Sequence, residues 1–365
     1  MSGWDDFVRA TPYLPFVLSE VERRAAGGAF EARASTSLST NGFWGTGENM
    51  SLRVAVQMDP LESINIAGDS TFALMLGAQA RGHRLWHYEA ANLSYRDGRV
   101  TAPARPVTVQ NIAGDHHRFE DWTTLDLADD VDVVLMRQDP PFDLAYITAT
   151  HLLERIQHAP LVVNDPAAVR NAPEKLFVLD FAEFMPPTLI TRRLEDARAF
   201  HAEHGEVVVK PLYGNAGSAV FHVGRNDANL AALTELFGQV WREPFMVQAF
   251  LPDVRLGDKR IVLVDGKPAG AVNRLPKEGE IRSNLAVGGS GAKTELTARE
   301  LEICAKLGPE LARRGLLFVG IDVIAGHLTE INVTSPTGIV AIDRFNGTDT
   351  PALIWEAIEM KARAR

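Results

Sequence analysis

Three side chains with oxygen donors, Asp322, Glu330 and Asn332, fall in one short stretch, Gly320 to Gly338, read GIDVIAGHLTEINVTSPTG. Two carboxylates and an amide are hard ligands, suited to Mg²⁺ rather than to zinc. Residues two apart on a strand share a face, so Glu330 and Asn332 point one way and Ile331 the other. The β-branched run around Asp322, with Ala325-Gly326 as a turn, predicts a hairpin. A loop centred near Gly326 would bring Asp322 opposite Glu330, in a register the sequence leaves open. Such a set is costly on an apolar hairpin unless a cation or partner compensates it. An ordinary exposed face with scattered polar groups is the competing reading.

Other groups suit phosphate. Lys210 ends the apolar strand VVVK (207–210), directly before the small-residue loop of PLYGNAGSAVFHV (211–223). Backbone N–H groups of such a loop, Gly214 and Gly217 among its residues, surround phosphate oxygens while the ammonium adds charge. Lys175 is the second lysine of interest. Gln248, Ala249, Phe250 and Leu251 close the strand PFMVQAFL (244–251) and offer backbone groups to an adenine edge. Asp258 heads the next strand, and Arg260, Arg274 and Arg282 bring positive charge of the kind phosphoryl transfer needs. Residues 276–293 (PKEGEIRSNLAVGGSGAK) read as a Gly-rich loop, long enough to suggest a mobile cover. A P-loop is not formed: GGSGAKT (288–294) has Ala292 and a preceding Val287 where glycines are required. No G-x-G-x-x-G follows a strand, no Cys/His set has zinc spacing, and His116-His117 reads as a solvated pair.

The elements that must position these groups fall into two textures. From residue 51 strands at 53–57, 85–88, 131–136 and 161–164 alternate with helices at 70–81 and 144–157, the first capped by Asp69. This predicts an open, mostly parallel α/β sheet. Its loops 58–70 and 137–143 lie at strand carboxyl ends, where such sheets bind ligands. From about residue 172 the pattern becomes α+β: a helix starting at Glu174-Lys175, a strand–loop–strand unit, a hairpin over 259–275, a helix at 297–314 and a last helix from about 350. The expected division is an N-terminal domain over 51–172 and a second domain over 173–365, with a lid at about 188–250. Residues 1–49 are expected to be a poorly ordered extension or an over-long start, and Asp5-Asp6 with the short YLPFVL run make no secretory signal.

Composition sets outer bounds. Of 365 residues, 46% are hydrophobic, with formal charge −10 and mean hydropathy −0.06. The acidic balance argues against a sequence-independent nucleic-acid footprint. The single cysteine, Cys304, allows no intrachain disulfide and reads as a buried small hydrophobe in a reducing compartment. No apolar run reaches the ~20 residues that cross a bilayer.

Taken together, the parts specify a nucleotide site without a Walker motif. The combination resembles the ATP-grasp superfamily. From about residue 51 onward the chain is more closely similar to bacterial glutathione synthetase, through MDPLESINIAGDSTFA, LMRQDPPFD, VNDPAAVRNAPEKLF, VVVKPLYGNAGSAVF, GDKRIVLVDG, IRSNLAVGGSG and GIDVIAGHLTEINVTSPTG. The resemblance implies an N-terminal α/β (pre-ATP-grasp) domain followed by a two-part α+β ATP-grasp domain. It implies that Lys175 and Lys210 contact ATP phosphates, that residues 247–251 hold adenine, and that Asp258 holds the ribose. Asp322, Glu330 and Asn332 would bind Mg²⁺ or Mn²⁺, and Arg260 and Arg274 would meet the transferred phosphate. Loop 276–293, with Arg282, would close over the site. Asp59, Ser70, Asp139 and Pro140 would face the dipeptide γ-glutamylcysteine. The implied reaction joins that dipeptide to glycine through an acyl phosphate, in a cytoplasmic homotetramer with no nucleic-acid or membrane partner. A sister ligase with another acceptor, or a non-catalytic nucleotide-binding protein, are the alternatives. Three places depart from the family pattern: the NAGSA loop, Ser290, and Val340-Ala341, where the acceptor is expected to be chosen.

Overall fold

The computed structural model describes residues 51–214, 217–284 and 288–365. The expectation for residues 1–49 lies outside them. Asn49–Arg365 is one of two compact units and holds every described residue.

Its first part is built on β1 (Arg53–Gln57), whose Val54, Ala55 and Val56 are all buried, as befits a strand covered on both faces. The chain continues through α1 (Ser70–Ala80), β2 (Arg84–Tyr88), β3 (Ser94–Arg96), β4 (Arg99–Val109), β5 (His117–Phe119), β6 (Thr123–Asp126) and β7 (Val133–Met136). It then forms α2 (Leu144–Glu154), β8 (Leu161–Val163) and α3 (Pro166–Arg170). Asp69 caps α1, accepting from the Phe72 N–H at 2.6 Å. These strands make an eight-stranded sheet in the order β3-β4-β2-β1-β7-β8, with β5 and β6 also on β4. Only β2-β1-β7-β8 is parallel. The β4 side is antiparallel, which corrects the mostly parallel expectation. Pro103 and Pro106 lie within β4, and proline inside an apolar run argues against a strand when only the sequence is read. His116-His117 is not solvated: His116 Nε2 lies 2.7 Å from the Leu61 carbonyl and its ring meets Phe72 edge-on.

A second, four-stranded antiparallel sheet follows. Its elements are β9 (Thr188–Thr191), α4 (Leu194–His204), β10 (Val207–Pro211), β11 (Phe221–Val223), α5 (Leu230–Val240) and β12 (Phe245–Ala249), in strand order β11-β10-β12-β9. Val207, Val209 and Val247 share a core with Phe237 of α5 and Ala197 of α4. By strand alternation Val208, Lys210 and Gln248 therefore face the other way.

The third sheet holds β13 (Asp258–Val264), β14 (Lys267–Leu275), β15 (Ser290–Ala292), β16 (Phe318–Ile324) and β17 (His327–Asn332), ordered β15-β14-β13-β16-β17. Between β15 and β16 lies α6 (Ala298–Arg313), opened by a Thr297–Glu300 capping box, and α7 (Ile339–Asn346) and α8 (Thr350–Arg363) follow β17. Ile261, Leu263, Ala271, Ile321 and Ile331 pack with Ile303, Leu307 and Leu311 of α6. Val262, Val272 and Phe318, on the opposite face, share a core with Ile342 of α7 and Trp355 of α8. Trp355 is fully buried, with its indole N–H on the Leu74 carbonyl at 2.8 Å, which fastens α8 to α1. Among the described residues no helix is long and apolar enough to cross a membrane.

Three expectations change here. The supposed cover loop ends in β15, so Ser290 is a strand residue paired with Leu275. Residues 174–176 form a turn, and the helix they precede is a 3-10 segment, Phe177–Phe184. Val340 and Ala341 belong to α7, an element absent from the sequence reading, and pack as partly buried apolar groups.

Candidate active site between two sheets

The hairpin β16–β17 turns at Ala325-Gly326, whose φ values of 49° and 75° match the right-handed twist of the strands it joins. Asp322 is opposite Glu330, and Gly320 opposite Asn332. Across the next seam Arg260 of β13 is opposite Asp322, and Asp258 is opposite Arg274 of β14. Strand alternation thus sets Asp258, Arg260, Arg274, Asp322, Glu330 and Asn332 on one face. Further along, the same face is the apolar surface beneath α7 and α8.

The charges are paired tightly. Arg260 donates to Asp322 through Nε at 2.5 Å and Nη2 at 2.9 Å. Arg274 Nη2 bridges Asp322 at 2.9 Å and Asp258 at 2.6 Å. The Ser283 hydroxyl donates to Asp258 at 2.9 Å. Burial raises the Asp322 carboxyl, but the two guanidiniums outweigh it and hold it below the ordinary carboxylate range. Burial lifts Asp258, whose second oxygen has no partner. Glu330 lies 3.4 Å from Lys175 Nζ and 3.6 Å from Lys210 Nζ. Burial works against its charge, and the two ammoniums still bring it below its usual value. Lys210, buried in turn, is pushed down by desolvation despite Glu330. Lys175 also donates to Glu174 and, at 2.6 Å, to the Gly214 carbonyl. Burial, with Glu330 nearby, pushes Glu174 up to about 7.

This cluster joins two clefts. One runs between the four-stranded sheet and β16–β17, lined by Lys210, Gly217, Gln248, Ala249, Phe250, Leu251, Asp258, Arg282, Asp322 and Glu330. The other holds Asp139, Pro140, Arg260, Arg274, Glu330 and Asn332, with the SPTG segment as a wall. Glu330 and Asn284 line both. Two of the three proposed arginines therefore meet. Arg282 stands apart in the first cleft, half-exposed and 3.3 Å from Glu280. Lys175 lines neither cleft, and Gly214 borders a third, smaller pocket. Gly217 adopts φ +73°, and an added Cβ would sit 2.9 Å from the Asn284 amide oxygen.

Asp59 and Ser70 do not line either cleft. Asp59 is exposed and accepts from the Asp139 N–H at 2.8 Å. Ser70 is buried and accepts from the Gly338 N–H at 3.1 Å. Both hold the loops that do line the second cleft. Sequence reasoning missed Arg137, buried, donating to Thr71 at 3.0 Å and to the Pro336 carbonyl at 3.0 Å. It also missed Glu174, Ser283, Asn284 and Ser335, the last donating to Asp139 at 2.8 Å. Each lies inside a motif that carries the family resemblance, but no periodicity or spacing singles it out from surface polar residues. Their role comes from segments that meet only in the fold.

Among the described residues no three acidic, histidine or cysteine side chains converge as a metal site. Asp322 and Glu330 hold cationic side chains instead. Their chemistry nonetheless fits a hard cation: carboxylates at paired register positions, beside a half-buried Asn332 whose amide oxygen is a third hard donor.

Comparison with known proteins agrees with this geometry. Residues 52–170 match the model of the prokaryotic glutathione synthetase N-terminal domain. Residues 174–347 match that of its ATP-grasp domain. A glutathione synthetase of Rhodopseudomonas palustris is 59% identical over 312 residues, covering 86% of this chain and 99% of that protein. One of Agrobacterium fabrum is 56% identical over 312 residues, covering 86% and 98%. Among solved structures, the D-cycloserine synthetase DcsG superposes with TM-score 0.61 at 15% identity, over 85% of this chain and 99% of that one. The ATP-grasp ligase PsnB, in a complex with a precursor variant, Mg and ADP, gives 0.58 at 17% identity, over 85% and 98%. At these identities the structures speak to the fold alone. Charged strands, two clefts and family models covering most of the described residues converge: the chain belongs to the prokaryotic glutathione synthetase family.

Proposed function

We propose that this chain joins γ-glutamylcysteine to glycine at the expense of ATP, releasing glutathione, ADP and phosphate, and that the cluster around Glu330 carries the reaction. The observation behind this is the meeting of four cations, Lys175, Lys210, Arg260 and Arg274, with Asp258, Asp322 and Glu330 where two clefts join. A polyphosphate is the anion that such a set suits.

The first cleft takes the nucleotide. Backbone groups of 248–251 meet the adenine edge, Asp258 the ribose, and Lys175 and Lys210 the phosphates. As phosphates draw off the ammonium and guanidinium groups, Asp322, Glu330 and Asn332 become free to hold Mg²⁺ or Mn²⁺. Held there by Asp322, Glu330 and Asn332, such a cation would supply charge neutralisation for the transferring phosphoryl group. Arg260 and Arg274 hold that group toward the second cleft, where the dipeptide carboxylate attacks phosphorus in line. The glycine amine then displaces phosphate from the acyl phosphate. Residues 281–284 cover the first cleft and keep water from the activated carboxyl. Asp139 and Pro140 bound the dipeptide, and Asp59 and Ser70 brace their loops rather than touching it. A cytoplasmic homotetramer is the assembly we infer from the family resemblance, which light scattering on the purified protein checks.

The deciding experiment measures ADP and product from ATP, Mg²⁺ and γ-glutamylcysteine, with and without glycine. Glycine-dependent ADP release with glutathione as product is expected. Release dependent on a different amine would replace this reading with a sister ligase.

A further inference from the structure

A third pocket adjoins the phosphoryl end of the second cleft, sharing Pro140, Glu174 and Thr334 with it. Its remaining walls are mainly apolar, and four separate segments supply them. Phe142 comes from the loop after β7, Pro173 from the turn before Lys175, Tyr213 from the loop after β10, and Val333 from the end of β17. The Phe142 and Tyr213 rings are nearly parallel, 8° apart in plane with centroids at 6.2 Å, the geometry of an offset pair. This pair spans from the eight-stranded sheet's loop to the phosphate loop. The cavity volume is about 20 Å³. A single water needs ~10–15 Å³ on the same measure, so the pocket admits a group about one heavy atom across.

This placement bears on the substrate. A carboxylate held by Arg260 and Arg274 carries its side chain only two bonds from the carboxyl carbon. That side chain must enter whatever space adjoins the phosphoryl end. Beside it lies a small pocket whose only charged residue is Glu174 at the shared rim. We propose that this pocket receives the side chain of the residue whose carboxylate is phosphorylated, and that Phe142 and Tyr213 cap its size at a thiol or methyl. The assignment rests on the carboxylate-donor reading above and extends it to side-chain selection.

The test is steady-state ADP release, with glycine saturating, on two γ-glutamyl dipeptides ending in α-aminobutyrate or leucine. One misplaced methylene in a fitted apolar pocket costs about 10- to 200-fold in kcat/KM. Wild type should therefore prefer the aminobutyrate substrate by roughly 100-fold or more. Tyr213→Ala and Phe142→Ala should shrink that preference at least about 10-fold, mainly by lowering KM for the leucine dipeptide, while Tyr213→Phe keeps it. For a variant too slow to assay, calorimetric affinities of the two dipeptides supply the same ratio. Equal use of both substrates by wild type, or an unchanged ratio in both alanine variants, overturns the proposal. If γ-glutamyl dipeptides release no ADP at all, the carboxylate-donor reading fails, and this assignment falls with it.

Discussion

Glu330→Gln separates the electrostatic role of this carboxylate from its proposed metal role. Glu330 stands 3.4 Å from Lys175 Nζ and 3.6 Å from Lys210 Nζ. At an effective dielectric near 20, each contact is worth about 5 kcal/mol before desolvation is charged against it. Lys175 retains Glu174 and the Gly214 carbonyl. Lys210 has no other carboxylate within ion-pair distance among the described residues. Breaking one partner of a buried pair costs roughly 3–5 kcal/mol. Because Lys210 can shed its proton, the cost should settle near the low end, about 3 kcal/mol, or several degrees in Tm. Desolvation already lowers the folded-state pKa of Lys210, and removing Glu330 lowers it further. The unfolded chain then binds more protons than the folded one up to the ordinary lysine range. The variant's deficit should therefore shrink as pH rises from 7 toward 10.

Nucleotide should act in a way that separates the two roles. ADP with EDTA brings phosphates to both lysines, so its stabilising shift should survive in the variant. The extra shift from adding Mg²⁺ should be lost. Turnover should fall by about 10²-fold or more, the scale of losing a charge stabiliser at a reacting centre. The assays are thermal melts at several pH values with ADP, EDTA and Mg²⁺, alongside steady-state ADP release. Near-normal turnover with an unchanged Mg²⁺ increment would refute the metal role. A deficit that does not shrink with pH would refute the Lys210 account.

Three further outcomes follow from particular contacts. Arg274→Lys should lower kcat by about 10²-fold with the fold retained, because a point ammonium cannot bridge Asp258 and Asp322 as the guanidinium does; kcat at saturating ATP and dipeptide, with a melt, checks it. Gly217→Ala should raise KM for ATP roughly 10-fold and cost about 1 kcal/mol of stability, since φ +73° and the approach to Asn284 place its strain in the nucleotide cleft; ATP titration of initial rates, with a melt, is the readout. Gly308→Ala should cost about 3 kcal/mol without touching KM, because the new Cβ would sit 2.3 Å from the Gly266 carbonyl oxygen where α6 crosses the β13–β14 turn; urea unfolding measures it.

Much of the site is legible in the amino-acid sequence. Alternation within LTEIN puts Glu330 and Asn332 on one face, and Ala325-Gly326 locates the turn that sets Asp322 against Glu330. Lys210 at the end of a strand, Asp258 and Arg260 two apart on β13, and the 248–251 segment all reach the clefts as their spacing suggests. These are short-range consequences of strand geometry, which sequence records directly. The β4 strand is hidden by Pro103 and Pro106. The α7 helix is hidden by its position between the SPTG segment and the longer α8.

Tertiary structure alone decided which charges neutralise which. Arg260 and Arg274 converge on Asp322 because the β13–β14 hairpin pairs in one register with β16, which comes much later in the chain. Arg282, of the same type and close by in sequence, does not join them. Nor could local reading find Glu174, Arg137 or Asn164. The Asn164 amide ties the end of β8 to β16 and β17, bonding the Phe318 and Val333 carbonyls at 2.7 and 2.8 Å. A residue's partners across such distances depend on how sheets stack, and that is encoded in the whole apolar pattern rather than in the neighbours of any one polar residue. Residue types at strand spacing pointed to a nucleotide site with a hard cation, and the reaction class came only with the family resemblance that the longer motifs carry. The packing of three sheets decided the charge balance and the small pocket where the substrate side chain is selected.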